Sequence, residues 1–438
     1  MESSDEDKGF SRTFKLQIII LGILFAADQF FGFFEQNFIN TYIAHVLVLP
    51  EIYVAIMVSL SSVMGLIFCI VWGIKSDNTR TKWGRRRPYL ITGGIVAGFG
   101  MIMYAFSPDY WWALFWDVII IGVASNMYYA SERAVIPDTV PQEKRGRANG
   151  MITIFGNLGI LLALAMFLIS YEIFAVDNPR GSGTILTQEG HIFVLAIGGI
   201  FFAAAGTIGF LFIKEIPTSE MPPKKKFGEE FKEIFSIEEM KKQKDFFKMV
   251  GSYIVFKTGI TLVLTFLFIY LFALGLTTME LLSAIGIAFL VLVISTLSMG
   301  KISDKFGRKR FVPLFIIIAS IGFFIMPFVK PTPTSEANIL LFYIALPFVV
   351  IGILGLPAPL DAWSQDLLPE DRRGKFLGIL NLLWVISQIV GSFLGAFIVW
   401  YFNNSGLFGL SWIFLFGGLI LLLSIPLFLR VKETLKFD

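Results

Sequence analysis

GIKSDNTRTKWGRRR, residues 73–87, and GKISDKFGRKR, residues 300–310, decide how this chain is read. Each sets a glycine four residues before an aspartate, Gly73 with Asp77 and Gly300 with Asp304, and follows it with a Gly-Arg cluster. The clusters are Gly84, Arg85 and Arg86 in the first copy and Gly307 and Arg308 in the second. The two aspartates lie 227 residues apart. A second pair repeats nearby: PDTVPQEKRGRANG (137–150) returns as QDLLPEDRRGKFLG (365–378), so that Asp138 maps onto Asp366 and Arg145 onto Arg373 at a shift of 228. The chain is an internal duplication.

Outward from these loops the sequence is apolar. Of 438 residues 55% are hydrophobic and 16% charged, against roughly 25% charged in soluble domains, and the mean hydropathy is +0.74. A bilayer core needs roughly 20 mostly apolar residues per helix. Twelve such runs are found, near 16–44, 52–74, 89–107, 111–133, 149–170, 191–213, 249–273, 279–299, 311–329, 337–359, 377–401 and 409–429. The predicted fold class is all-α and integral to the membrane, twelve transmembrane helices in two pseudo-symmetric six-helix bundles. Two histidines and the single Cys69 exclude a His-rich metal site and a disulfide framework, and a net charge of +3 gives no nucleic-acid partner. No GxxxxGK[ST] phosphate loop is present, which argues against ATP-driven transport.

Lys and Arg set the orientation. Placing both termini in the cytosol leaves only Arg180 and Lys330 outside, and of the 36 basic residues only Arg133 and Lys257 then fall inside helices. The expected organisation is a bundle over 1–213, a cytoplasmic linker over 214–248 and a second bundle over 249–438. The linker carries KKK at 224–226 and sets Phe227, Phe231, Ile234 and Phe235 at helical spacing, which reads as an amphipathic helix on the leaflet surface. The localisation expected is the cell membrane, multi-pass, as a monomer in the lipid bilayer.

The duplicated G-x-x-x-D and Gly-Arg loops resemble the signature of the major facilitator superfamily. SDNTRTKWGRRRPYL, SNMYYASERAVIPD and LGILNLLWVISQ are similar to stretches of its sucrose:proton and glycoside–pentoside–hexuronide:cation symporters. That resemblance puts Asn126, Met127 and Arg133 of span 4, and Asn381 and Gln388 of span 11, on matching positions. It implies alternating access, in which the repeated loops (Glu132 and Asp361 beside them) serve as a cytoplasmic gate. The chain departs from those carriers at Gly122, where they have an acid, so proton coupling through span 4 and sucrose itself are not carried over.

A charged side chain at mid-bilayer costs about 2.5–3.5 kcal/mol and is a functional hypothesis by default. Asp28 falls mid-way along span 1, with Gly32, Glu35 and Gln36 on its face. Lys257 lies 229 residues later in span 7. The sequence expectation is that Asp28 and Lys257 face one cavity and that a proton or sodium ion at Asp28 competes with their pairing, Glu35 assisting. Arg133 relates in the same way to Asp361 at +228, as a substrate contact or inner gate. Asp117 lies sixteen residues before Arg133, roughly 160° round an α-helix, and reads as structural. Gln36, Asn126, Tyr129, Arg133, Asn381, Trp384 and Gln388 are the expected lining for a hydroxyl-rich solute, amides supplying donors and acceptors and Trp384 a stacking face.

The function these residues imply is secondary transport without an enzymatic step or cofactor: a proton- or cation-coupled symporter of a sugar or other small polar solute. Two rivals stay open. One is an uncoupled facilitator or exchanger of a drug, nucleoside or organic acid. The other is a non-transporting sensor or membrane enzyme, for which His45 and His191 offer no reactive partner.

Overall fold

The computed structural model describes the backbone of residues 12–140, 145–181, 183–215, 244–367 and 373–434. Among these the chain is almost wholly helical. The first six spans are α1 (Arg12–His45), α2 (Glu51–Asn78), α3 (Arg87–Tyr104), α4 (110–139), α5 (Arg145–Phe174) and α6 (Gln188–Phe212). The second six are α7 (244–274), α8 (Thr278–Phe306), α9 (Arg308–Ile325), α10 (339–366), α11 (Arg373–Asn404) and α12 (Gly409–Phe428). Eleven are long and apolar enough to cross a bilayer by composition. The twelfth, α3, is 18 residues, enough for about 27 Å at 1.5 Å per residue, and opens on Arg87 and Pro88. The twelve expected spans are all present, with ends that run past the apolar runs into polar turns. A short hairpin pairs β1 (Ala175–Asp177) with β2 (Thr184–Leu186). The amphipathic helix expected in the linker lies outside the described residues.

The ends follow local chemistry. The Asp109 carboxylate accepts the backbone N–H groups of Trp111 and Trp112 and starts α4, and Asn338 does the same for Leu341 at the head of α10. Gly275, at φ +69°, ends α7 in the left-handed conformation a glycine adopts freely. Neither α4 nor α10 is a regular α-helix. Phe115–Ile121 and Ile351–Gly355 are π-helical, an irregularity that periodicity alone does not signal.

Two compact units result. The first comprises residues 1–39, 67–169 and 191–227; the second 40–66, 170–190 and 228–438. The far ends of α1, α2 and α5 thus belong with the second unit. The Asn40 amide donates to the Thr265 carbonyl at 3.1 Å, the Ser59 and Ser392 hydroxyls meet at 3.2 Å, and the Tyr171 hydroxyl donates to the Leu276 carbonyl at 2.6 Å. The first unit's core is aromatic, with Phe31 stacked on Phe202 at 4.1 Å and Phe30 edge-on to Phe34 at 4.9 Å. Small residues bring its helices close: a Cβ on Gly98 of α3 would collide with the Gly199 carbonyl of α6, and one on Gly199 with that of Gly98. Glycine seams of this kind replace the hydrophobic drive that lipid does not supply between helices.

Candidate functional site

In the first unit the buried charges gather between α1 and α4. The Tyr128 hydroxyl donates to the Leu24 carbonyl at 3.1 Å and fastens the two helices. Asp28, 7% exposed, then faces Glu132 and Arg133 of α4, with its neighbour Gln29 in hydrogen-bonding reach. Two turns further along α1, Glu35 faces Asp117 and the Tyr129 hydroxyl. The Arg133 guanidinium lies over the Tyr129 ring at 5.8 Å. Glu132 is completely buried, and neither of its oxygens has a hydrogen-bond partner among the described residues. Beside these groups Gly32 is open, for a Cβ there would meet nothing within 4 Å.

Asp117 therefore belongs to the cluster rather than to a structural seam. The roughly 160° expected from regular spacing fails because Phe115–Ile121 is π-helical, and an i→i+5 turn adds about one residue, on the order of 100° of phase. Glu132 likewise sits with Asp28 instead of with the loops, since adjacent helix residues diverge by about 100° and Arg133 takes the more open side.

The second unit holds a complementary arrangement between α7, α10 and α11. The Lys257 ammonium lies 5.3 Å from the Tyr253 ring and 5.1 Å from that of Trp384, with the Asp361 carboxylate in electrostatic reach. The Tyr253 hydroxyl donates to Asp361 at 2.6 Å. The opposite charge that Asp28 meets inside its own unit is Arg133, and the one that Lys257 meets is Asp361. Sequence reasoning joined these four residues crosswise along the repeat. Within each unit the local relations occupy equivalent places in the repeat with their signs exchanged: acid on α1 and base on α4, base on α7 and acid on α10.

The uncharged candidates divide. Tyr129 enters the acid cluster and Trp384 the lysine cluster. Asn126 spends an amide hydrogen on the Gly122 carbonyl one turn back, at 2.8 Å. Gln36 is exposed and Gln388 half-buried. The side chains of Asn381, Arg145, Asp304 and Arg373 lie outside the described residues. Outside the spans, Lys330 is 1% exposed and donates to the Ala273 carbonyl, and burial pulls its ammonium below the ordinary lysine range.

The repeated loops form charge networks. Arg85 donates to Asp138 at 2.5 Å, while Arg86 reaches Asp138 at 3.3 Å, Ser76 at 2.5 Å and Asp77. A further carboxylate stands at the N-terminus of α3. The residue found there is Glu215, which follows α6 and accepts the backbone N–H groups of Arg85, Arg86 and Arg87 at 2.6, 2.9 and 2.7 Å. Negative charge is stabilised at that end of α3 by the helix dipole. Gly84 is required beneath it, with φ +104° and a Cβ position 2.7 Å from that carboxylate. In the second unit Arg308 donates to Asp366 at 2.5 Å and the Lys309 N–H to Glu433 at 2.8 Å. Sequence reasoning missed both glutamates. Their signal was a Lys-Glu doublet closing each half, Lys214-Glu215 and Lys432-Glu433.

Comparison with known proteins agrees with this architecture. The chain is 22% identical over 246 residues to a sucrose transport protein of Arabidopsis thaliana, covering 50% of this chain but only 41% of that relative. It is 23% identical to a multi-drug resistance efflux pump of Streptococcus pneumoniae over 87% of this chain and 88% of the pump. The crystal structure of a D-xylose-proton symporter superposes with a TM-score of 0.67 at 17% identity, covering 96% of this chain and 98% of the symporter. Residues 18–360 match the model of the Major Facilitator Superfamily. The chain belongs to that superfamily: it is a multi-pass membrane transporter of small solutes and not an enzyme.

Proposed function

We propose that the chain is an ion-coupled symporter of a sugar or similarly hydroxylated solute, working by alternating access. The observation that carries this reading is a charge relation repeated with its signs exchanged, buried Asp28 in the field of Arg133 and half-buried Lys257 in the field of Asp361. An intramembrane ion pair that did nothing but hold helices together would be costly to keep. Set beside Tyr129 in one unit and between Tyr253 and Trp384 in the other, each can exchange its partner for an ion or for the hydroxyls of a solute. Coupling is assigned to Asp28 with Glu35. Solute contact goes to Arg133, Tyr129, Lys257, Trp384, Gln36 and Gln388. The likeness to a sucrose transport protein supports a sugar, and the Lys/Arg asymmetry supports cytosolic termini. The protein needs no cofactor in this reading and acts as a monomer, with a proton or sodium ion as its driving partner.

Proteoliposomes test this with a panel of labelled sucrose, maltose and xylose. At least one sugar should accumulate, and an ionophore that collapses the ion gradient should abolish accumulation. Asp28→Asn should lose accumulation while keeping exchange of internal for external sugar. Accumulation unchanged by Asp28→Asn would reject the coupling role. The full-length likeness to a drug efflux pump favours a second reading, exchange of an amphipathic drug, which predicts ethidium movement in place of sugar uptake.

A further inference from the structure

We propose that Asp117, Glu35, Asp28 and Glu132 form a proton path lying wholly within the first compact unit, with the Tyr129 hydroxyl between its two rungs. The proposal rests on the coupled-carrier reading above and names its ion. Glu132 is the anchor. It is completely buried, and among the described residues neither of its oxygens receives a hydrogen bond from a donor. What faces it is the Asp28 carboxyl and the Arg133 guanidinium. A buried carboxylate without donors is expensive. One proton held jointly with Asp28 satisfies both acids, because the acid form donates its O–H to the neighbouring carboxylate. Arg133 balances the single charge that remains.

The second rung repeats the arrangement. Glu35 stands seven residues beyond Asp28 on α1, about 10 Å along the helix, and faces Asp117, itself 2% exposed. Tyr129 links the rungs. Its hydroxyl reaches Glu35, and it lies in the field of Asp28, Glu132 and Arg133. The open side of Gly32, between the two acids on α1, leaves room for a bridging water among polar partners. Each transfer breaks one O–H bond and makes another, with no change of oxidation state. Of the remaining titratable neighbours, Tyr128 donates to Leu24, and Cys69 of α2 lies in the field of Arg133.

This geometry selects a proton over a metal cation. Sodium, like other hard cations, wants several oxygens converging on one point. Among the described residues no three Asp, Glu, His or Cys side chains do so. The acids are instead strung in pairs along the helices, which suits an ion passed from one group to the next.

The decisive measurement needs no solute. Proteoliposomes adsorbed to a solid-supported membrane are switched from alkaline to mildly acidic buffer, and charge displacement is recorded in sodium and in choline. The wild type should give a transient of equal size in both. Glu35→Gln, Asp117→Asn and Glu132→Gln should each reduce it toward the level of empty membranes, while Asp245→Asn, at an exposed acid outside the cluster, should leave it intact. Thermal unfolding verifies that each variant is folded. If Glu132→Gln is not, infrared difference spectra of the wild type replace it, and a protonated-carboxyl band that Glu35→Gln alters is expected. A transient that appears only in sodium, or one that survives in the folded variants, overturns the path. A proton transient without sugar accumulation would leave the path standing and remove the sugar reading; sugar accumulation driven by sodium alone would do the reverse.

Discussion

One carboxylate holds three backbone N–H groups where the chain enters α3. Glu215 neutralises donors that no helical carbonyl can reach, and Gly84 makes the space it occupies. Glu215→Gln keeps an acceptor but loses the charge, so the expected cost is about 0.5–1 kcal/mol. Gly84→Ala is expected to cost more, about 1–2 kcal/mol for the left-handed backbone alone with the displaced carboxylate in addition. Thermal unfolding in detergent should rank the two in that order. The reverse order would mean that Glu215 is held chiefly by something other than these amides.

Helices tell a different story from residues, because their legibility depended on regularity. The twelve spans were readable since a bilayer demands one long apolar run for each, and α3 survived as a span despite its glycines. The contents of the acid cluster were only half readable. Asp28, Glu35 and Arg133 stood out as charges in apolar surroundings, but Asp117 did not, for the π-helical turn that carries it into the cluster leaves no periodic trace. Glu132 was visible and misplaced for a related reason, as a linear motif does not say which way a side chain turns. The glycines make an element-scale test. Gly98→Ala must push α3 off α6, since its Cβ would strike the Gly199 carbonyl, and should lower stability by about 1–3 kcal/mol. Gly32→Ala meets open space and should leave thermal stability unchanged. If the room beside Gly32 serves the acids, that same variant should weaken ion-driven uptake, a split that unfolding and transport assays on one preparation would reveal.

Across the whole molecule the duplication is retained as architecture and altered as chemistry. Both halves keep a glycine at positive φ, an arginine paired with the aspartate of the second repeated loop, and a glutamate that caps a helix from beyond the last span of the half. Within the membrane the facing charges exchange sign, as expected when two copies of one gene take up different tasks. The caps at Glu215 and Glu433 have different partners. Combining Glu215→Gln with Glu433→Gln should therefore add their separate costs to within about 0.5 kcal/mol, and a larger discrepancy in unfolding would reveal coupling between the two loops.

The far ends of α1, α2 and α5 are tied by neutral contacts such as Asn40 to Thr265 and Ser59 to Ser392, whereas the repeated loops of each unit are held by ion pairs, Arg85 with Asp138 and Arg308 with Asp366. Counter-ions weaken exposed charges within a Debye length of about 8 Å at physiological strength and leave a serine–serine contact untouched. Raising ionic strength is thus a one-sided lever: it weakens the charged contacts inside each unit and spares the neutral ones that fasten the far ends of α1 and α2 into the second.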